Sequence, residues 1–180
     1  MSTSVLVTVG SDHHPFDRLV GAVDRWLDET AEELVVVVQH GTARPPRHGE
    51  RHDYLPHDQL LELLRATDIV VTQGGPMGIV EARTCGRIPV VMPRLHRLGE
   101  VVDDHQVAFC RQLAGTGDII MVETEDELRD ALRLAVDDPS RLRLTGPTAE
   151  VDTRAAVDAF AHAVEALPPR RRRRVSWRTR

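Results

Sequence analysis

The apolar residues of this chain fall into short runs separated by longer amphipathic stretches. The runs are Ser4–Val9, Leu34–Val38, Ile69–Val71, Ile88–Met92 and Ile119–Val122. Leu34–Val38 shows no alternation of apolar with polar positions, as expected of a strand buried on both faces. Phe16–Thr30 carries Phe16, Leu19, Val20, Val23, Trp26 and Leu27 on one helical stripe. Gln59–Ala66 follows Asp58 as N-cap and turns Leu60, Leu61 and Leu64 inward. A helix capped by Asp103 or Asp104 runs to about Leu113 and ends at Gly115 and Gly117. Thr124 caps Glu125–Val136, with Glu127 at capping-box spacing. Thr148–Leu167 reads as a last amphipathic helix, stopped by Pro168 and Pro169. The polar stretch Gly41–Asp53 reads as a surface loop and Tyr54–Leu55 as a short strand. Strand and helix alternate throughout. That order predicts an α/β fold, a Rossmann-like, doubly wound parallel sheet. The 180 residues suffice for one domain, assigned to residues 1–167, followed by an Arg-rich, flexible tail at 168–180.

The segment around Asp68–Glu81 carries the clearest chemistry. The apolar strand Ile69–Val71 is broken by Gln73, Gly74 and Gly75, and Pro76 opens a helix with no further breaker until Gly86. Proline suits the first helical position, because its missing N–H would have had no partner there. The amides of Met77 and Gly78 stay free at the positive end of the helix dipole, which attracts phosphate. Gly74 and Gly75 let a ligand approach the backbone closely. Glu81 lies about one turn further in, placed to accept hydrogen bonds from a sugar diol. The pattern suggests a nucleotide with its diphosphate on the turn and its ribose on the acid. An ordinary strand–helix turn with a solvated glutamate is the plain alternative.

Composition narrows the picture. Hydrophobic residues make up 41% and charged residues 28%, ordinary for a globular chain. No apolar run approaches the ~20 residues that span a bilayer, and the start of the chain lacks a signal-peptide layout. The expected location is cytoplasmic, peripheral to the inner membrane face if the tail binds there. All 23 basic residues are Arg, which excludes lysine Schiff-base and P-loop chemistry. Seven of them lie in Arg170–Arg180, leaving 16 arginines against 28 carboxylates elsewhere. An acidic body with a basic tail is not a nucleic-acid footprint. The tail suits an anionic membrane surface or an acidic partner, or else is a solvated end. Cys85 and Cys110 have no motif spacing and read as reduced and packed. His40, His48, His52 and His57 lack carboxylate or cysteine companions at ligand spacing and read as solvated; no metal is expected.

Three loops follow the carboxyl ends of three predicted strands, Gly10–Pro15, Gln73–Gly78 and Pro93–Gln106, and in a doubly wound sheet they share one edge. The stretches VTVGSDHHPFDRLV, ATDIVVTQGGPMGIVEARTCGRIPVVMPR and DDHQVAFCRQLA, in that order, resemble the glycosyltransferase family 28 C-terminal domain over roughly residues 4–136. That domain is the donor-binding, C-terminal half of a GT-B glycosyltransferase. The resemblance implies a UDP-sugar as substrate, with no cofactor. By position, it places Gly10, Ser11, Gly75 and Gly78 near the donor diphosphate, where the turn itself adds Gly74 and Met77, and Glu81 on the ribose. His105 and Gln106 fall at the transferred sugar, and Arg94 or Arg97 at the leaving diphosphate. His13 and His14 lie where a general base is wanted, though they also fit as loop or diphosphate-contacting histidines. The chain departs from the family's usual pattern at Gln73 (commonly His), Gly78 (commonly Ser) and Met77 (commonly small). The family's acceptor-binding half is expected on a separate, membrane-associated subunit. A homodimer is a further expectation, since the surface that would meet that half lies bare. A non-catalytic nucleotide-sugar binding or scaffold protein is the second reading, and a flavodoxin-like binding domain the third.

Overall fold

A computed structural model describes residues 2–144 of the 180. The expected helix Thr148–Leu167 and the Arg-rich tail lie outside the described residues. Six strands form one sheet: β1 Thr3–Thr8, β2 Leu34–Gln39, β3 Glu50–His52, β4 Ile69–Gln73, β5 Val90–Met92 and β6 Ile120–Met121. The helices are α1 Asp17–Glu29, α2 His57–Ala66, α3 Pro76–Thr84, α4 His105–Gly115 and α5 Glu125–Asp137. Strand order is β3-β2-β1-β4-β5-β6, and every pairing is parallel. This is the doubly wound order, which reverses between β1 and β4. Thr8 is in register with both Gln39 and Thr72. The loops after β1 and β4 therefore leave the sheet side by side.

Helices on both faces explain the unbroken apolar runs. Val5, Val7 and Val9 pack with Phe16, Leu19 and Val23 of the α1 side and with Leu128 and Leu132 of α5. Leu6 and Val70 face the other way, onto Leu64 of α2 and Ala82 of α3. A third cluster joins Ile79 to Val91, Phe109 and Cys110, fixing α4 beside α3. The capping box of α5 forms as expected, with Thr124 Oγ1 accepting from Glu127 N at 3.2 Å and Glu127 Oε2 accepting from Thr124 N at 3.3 Å.

The local differences have physical causes. The expected loop Gly41–Asp53 contains β3, a polar edge strand held by backbone pairing to β2 with no apolar pattern to announce it. Tyr54 and Leu55 are not a strand. The α2 helix starts at His57 with Pro56 in the cap position, so Asp58 lies inside its first turn. The Asp104 side chain does not cap α4. Its Oδ1 instead accepts from His96 N at 2.9 Å.

Candidate active site

The three loops meet in a cleft of about 620 Å³ at the carboxyl ends of β1 and β4. Gly10, Ser11 and Asp12 line one wall, Gly75–Gly78 the next, and Glu81 and Gln106 close it. Tyr54, Leu55 and Leu60 form an apolar flank. Of the residues predicted from sequence, Gly10, Ser11, Gly75, Met77, Gly78, Glu81 and Gln106 share this cleft.

The α3 terminus forms as the sequence predicts. Gly75 is the N-cap, without a side chain to offer, and Pro76 opens the helix. The next amides, of Met77 and Gly78, precede the first residue able to bond back along the helix. Met77 is 69% exposed, so its side chain projects from the rim of the cleft. Glu81 is the reverse, its side chain only 13% exposed. Burial pushes its carboxyl above the usual carboxylate range, and His57, with Nδ1 3.5 Å from Oε1, pulls the other way. Asp12 also lines the cleft. Burial works to raise its carboxyl, but bonds from the His14 amide (2.8 Å) and ring (2.6 Å), with Arg94 nearby, hold it below the usual range.

Six predicted residues lie outside the cleft lining. Gly74 faces α4 rather than a ligand: a Cβ there would stand 2.8 Å from Cys110 Sγ and 3.1 Å from Gln106 Oε1. Its missing side chain lets a helix approach. His105 Nδ1 contacts Asp103 Oδ1 at the start of α4. His13 is exposed. His14 pairs through Nδ1 with Asp12. Ligand atoms of Asp12, His13 and His14 lie within 4.8 Å of one another, the one such group among the described residues.

Arg94 is the largest correction. It is fully buried beneath the cleft, not in it. Nε donates to Gln73 Oε1 (2.9 Å), Nη1 to His14 O (2.7 Å) and Glu100 O (3.0 Å), and Nη2 to Val9 O (2.8 Å). The guanidinium carbon lies 4.6 Å from the centre of the Phe16 ring. It forms no ion pair among the described residues; the Glu100 carboxylate is taken by Arg18 at 2.9 Å. Burial lowers the Arg94 pKa, with Asp12 and Glu100 opposing. One side chain thus ties all three loops together. Nothing in its sequence position marks it as buried. Arg97, the other expected cation, is exposed on the loop after β5.

Gln73, which the sequence marks as a strand breaker at the head of a ligand-facing loop and as a departure from the family pattern, lies at the centre of the arrangement. Besides Arg94, its Oε1 accepts from Gln106 Nε2 at 3.1 Å. Its Nε2 lies against two glycines: a Cβ on Gly75 would stand 2.6 Å away, and one on Gly10 would collide with it. Gly10 also has a φ of 74°, in the left-handed region that favours glycine.

Residues 4–162 match the glycosyltransferase family 28 C-terminal domain. A UDP-N-acetylglucosamine–N-acetylmuramyl-(pentapeptide) pyrophosphoryl-undecaprenol N-acetylglucosamine transferase of Geobacter sulfurreducens is 30% identical over 97 residues, 52% of this chain and 26% of that protein. Its namesake from Geobacter metallireducens is 27% identical over 149 residues, 76% and 40% of the two chains. The chain thus spans less than half the length of these relatives. Among solved structures, the glycotransferase of kitacinnamycin aligns with a TM-score of 0.60 at 24% identity, over 91% of this chain and 42% of that one. MurG of Acinetobacter baumannii aligns with a TM-score of 0.57 at 18% identity, over 90% and 46%. The fold is that of half a GT-B enzyme, and the chain belongs to the glycosyltransferase family 28 C-terminal domain family.

Proposed function

We propose that this chain is the donor-binding part of an inverting glycosyltransferase that uses a UDP-sugar. The observation that carries the reading is the sharing of one cleft by a carboxylate, Glu81, and two glycine turns, at Gly10 and at the free amides of α3. A nucleoside diphosphate sugar has the complementary parts. Its diphosphate suits the unpaired amides and the helix dipole. Its ribose diol suits Glu81, and its base suits the apolar flank of Tyr54, Leu55 and Leu60. Gln106, at the start of α4, is placed for the sugar.

In the reaction, an acceptor hydroxyl attacks the anomeric carbon. The bond from that carbon to the diphosphate oxygen breaks, and UDP leaves with the electron pair. The developing negative charge falls on the amides of Met77 and Gly78, the kind of preorganised donors that stabilise a leaving group. The acceptor's proton goes to a base, for which His14, oriented through Nδ1 by Asp12, is the candidate in this chain. The acceptor is lipid-linked or a polysaccharide, held by a separate, membrane-associated subunit. Leu98 and Val102, about half exposed on the loop after β5, offer apolar surface for that partner or for a second copy of this chain. Contact of Arg170–Arg180 with an anionic membrane is part of the same proposal. Among the described residues no helix is long and apolar enough to cross a membrane.

One observation favours a second reading, of a non-catalytic nucleotide-sugar binder. Among the described residues no arginine lines the cleft, since Arg94 is buried below it. Transfer of labelled sugar from UDP-sugar to a lipid-linked acceptor, assayed with and without the acceptor-binding partner, separates the two. Transfer only when both are present supports the enzyme. Saturable UDP binding without transfer in either case supports the binder.

A further inference from the structure

A carboxamide has two ends, and Arg94 decides which end of Gln73 the cleft meets. A guanidinium can only donate, so the Gln73 atom 2.9 Å from Arg94 Nε must be the oxygen. The backbone N–H of Arg94 makes the same demand of Gln106, whose Oε1 lies 3.2 Å away. That leaves Gln106 Nε2 free to donate, and it does so to Gln73 Oε1 at 3.1 Å. Both amides are thereby locked in one orientation by a single residue. The Gln73 NH₂ group is turned away from Arg94, between Gly10 and Gly75, with no hydrogen-bond partner among the described residues. Gln73 lines the cleft at that point.

We infer that Arg94 is a positioning residue, which acts through Gln73 to present a fixed, neutral N–H donor to an anionic oxygen of the ligand where the two glycine turns meet. This deepens the reading of the cleft as a UDP-sugar site and rests on it. The device is a relay. A buried cation with only neutral acceptors polarises the amide that touches ligand, without exposing its own charge. It also accounts for both glycines, because a methyl group on either would displace the Gln73 amide.

Replacing one atom tests it. In Gln73→Glu the oxygen held by Arg94 remains, and the buried guanidinium gains a carboxylate partner. The NH₂ facing the cleft becomes a negatively charged oxygen. Stability and binding then move in opposite directions, which a merely structural glutamine would not produce. Wild type and Gln73→Glu are melted and titrated with UDP, uridine and inorganic pyrophosphate. The expected variant melts at or above wild type, binds UDP and pyrophosphate at least tenfold more weakly, and binds uridine as wild type does. Three outcomes overturn the inference. These are unchanged UDP and pyrophosphate binding in the variant, equal losses for UDP and uridine, or a lower melting temperature. Wild type that binds pyrophosphate but not UDP, with the variant losing pyrophosphate, removes the nucleotide reading and leaves the relay standing. Wild type that binds neither removes both.

Discussion

Glu81 Oε1 and His57 Nδ1 meet 3.5 Å apart from neighbouring helices, both on the wall of the same cleft. A carboxylate this buried, with one exposed histidine for company, carries a stability cost. Its pKa is raised above the ordinary 4.5. The folded chain therefore holds the Glu81 proton more tightly than the unfolded chain does. Ionisation disfavours the fold at neutral pH, and the penalty fades as pH falls from the raised folded value toward the ordinary 4.5. Glu81→Gln is expected to melt at or above wild type at pH 7, with the difference shrinking toward pH 4. The same change removes a charged acceptor for the ribose hydroxyls, worth about 1.5–3 kcal/mol. UDP affinity then falls roughly tenfold or more. Calorimetric titration checks this, as does the pH profile. Wild-type affinity drops as acid protonates Glu81, and the variant lacks that drop.

Asp68 has the opposite sign. Burial works to raise its carboxyl. Bonds to Oδ2 from Ser4 N (3.1 Å) and Ser4 Oγ (2.9 Å), and to Oδ1 from Arg143 (2.8 Å), outweigh that effect and lower it. A lowered carboxylate contributes stability above its unfolded value near 3.8, and the contribution is lost as pH falls through the folded value. Asp68→Asn is expected to cost about 1–3 kcal/mol at pH 7. Denaturant melts at pH 7 and pH 3 should show the gap closing in acid.

The two glycines beside Gln73 separate backbone strain from crowding. Gly10 has a positive φ, so Gly10→Ala carries a left-handed backbone cost of about 1–2 kcal/mol in addition to the clash. Gly75 has an ordinary φ of −75°, so Gly75→Ala meets only the Gln73 amide, at 2.6 Å. The expected outcome is a clear loss of stability for Gly10→Ala. Gly75→Ala should be milder in melting while losing UDP affinity as severely.

His14 and its Asp12 partner offer a test of the chemistry apart from binding. His14→Gln keeps a neutral polar group but removes the base. Sugar transfer should fall by a hundredfold or more, in the range of a general base, with UDP affinity within twofold of wild type. Equal transfer by the variant would place the base on the acceptor-binding partner.

Sequence made the architecture legible wherever apolar runs and caps carried it. The Ile69–Val71 run with Pro76, and Thr124 with Glu127, locate β4, α3 and α5 because those signals are local. The edge strand β3 was hidden, since Glu50, Arg51 and His52 owe their conformation to backbone pairing with β2. The shared edge of Gly10, Glu81 and Gln106 was legible from topology. The part played by Arg94 was not. An arginine in a polar loop reads as solvated, and only long-range contacts with Val9, His14 and Gln73 make its burial tolerable. For the same reason Gly74 and Gly75 looked like ligand clearance, when one clears a helix and the other a side chain.

The most direct test of the donor cleft is a UDP titration followed by backbone amide resonances in a ¹⁵N-labelled sample of the whole chain. Ser11, Met77 and Gly78 are expected to shift together along one saturable curve, which weakens in Glu81→Gln. Amides that stay still at millimolar UDP, or shifts that saturate elsewhere on the fold, would contradict it.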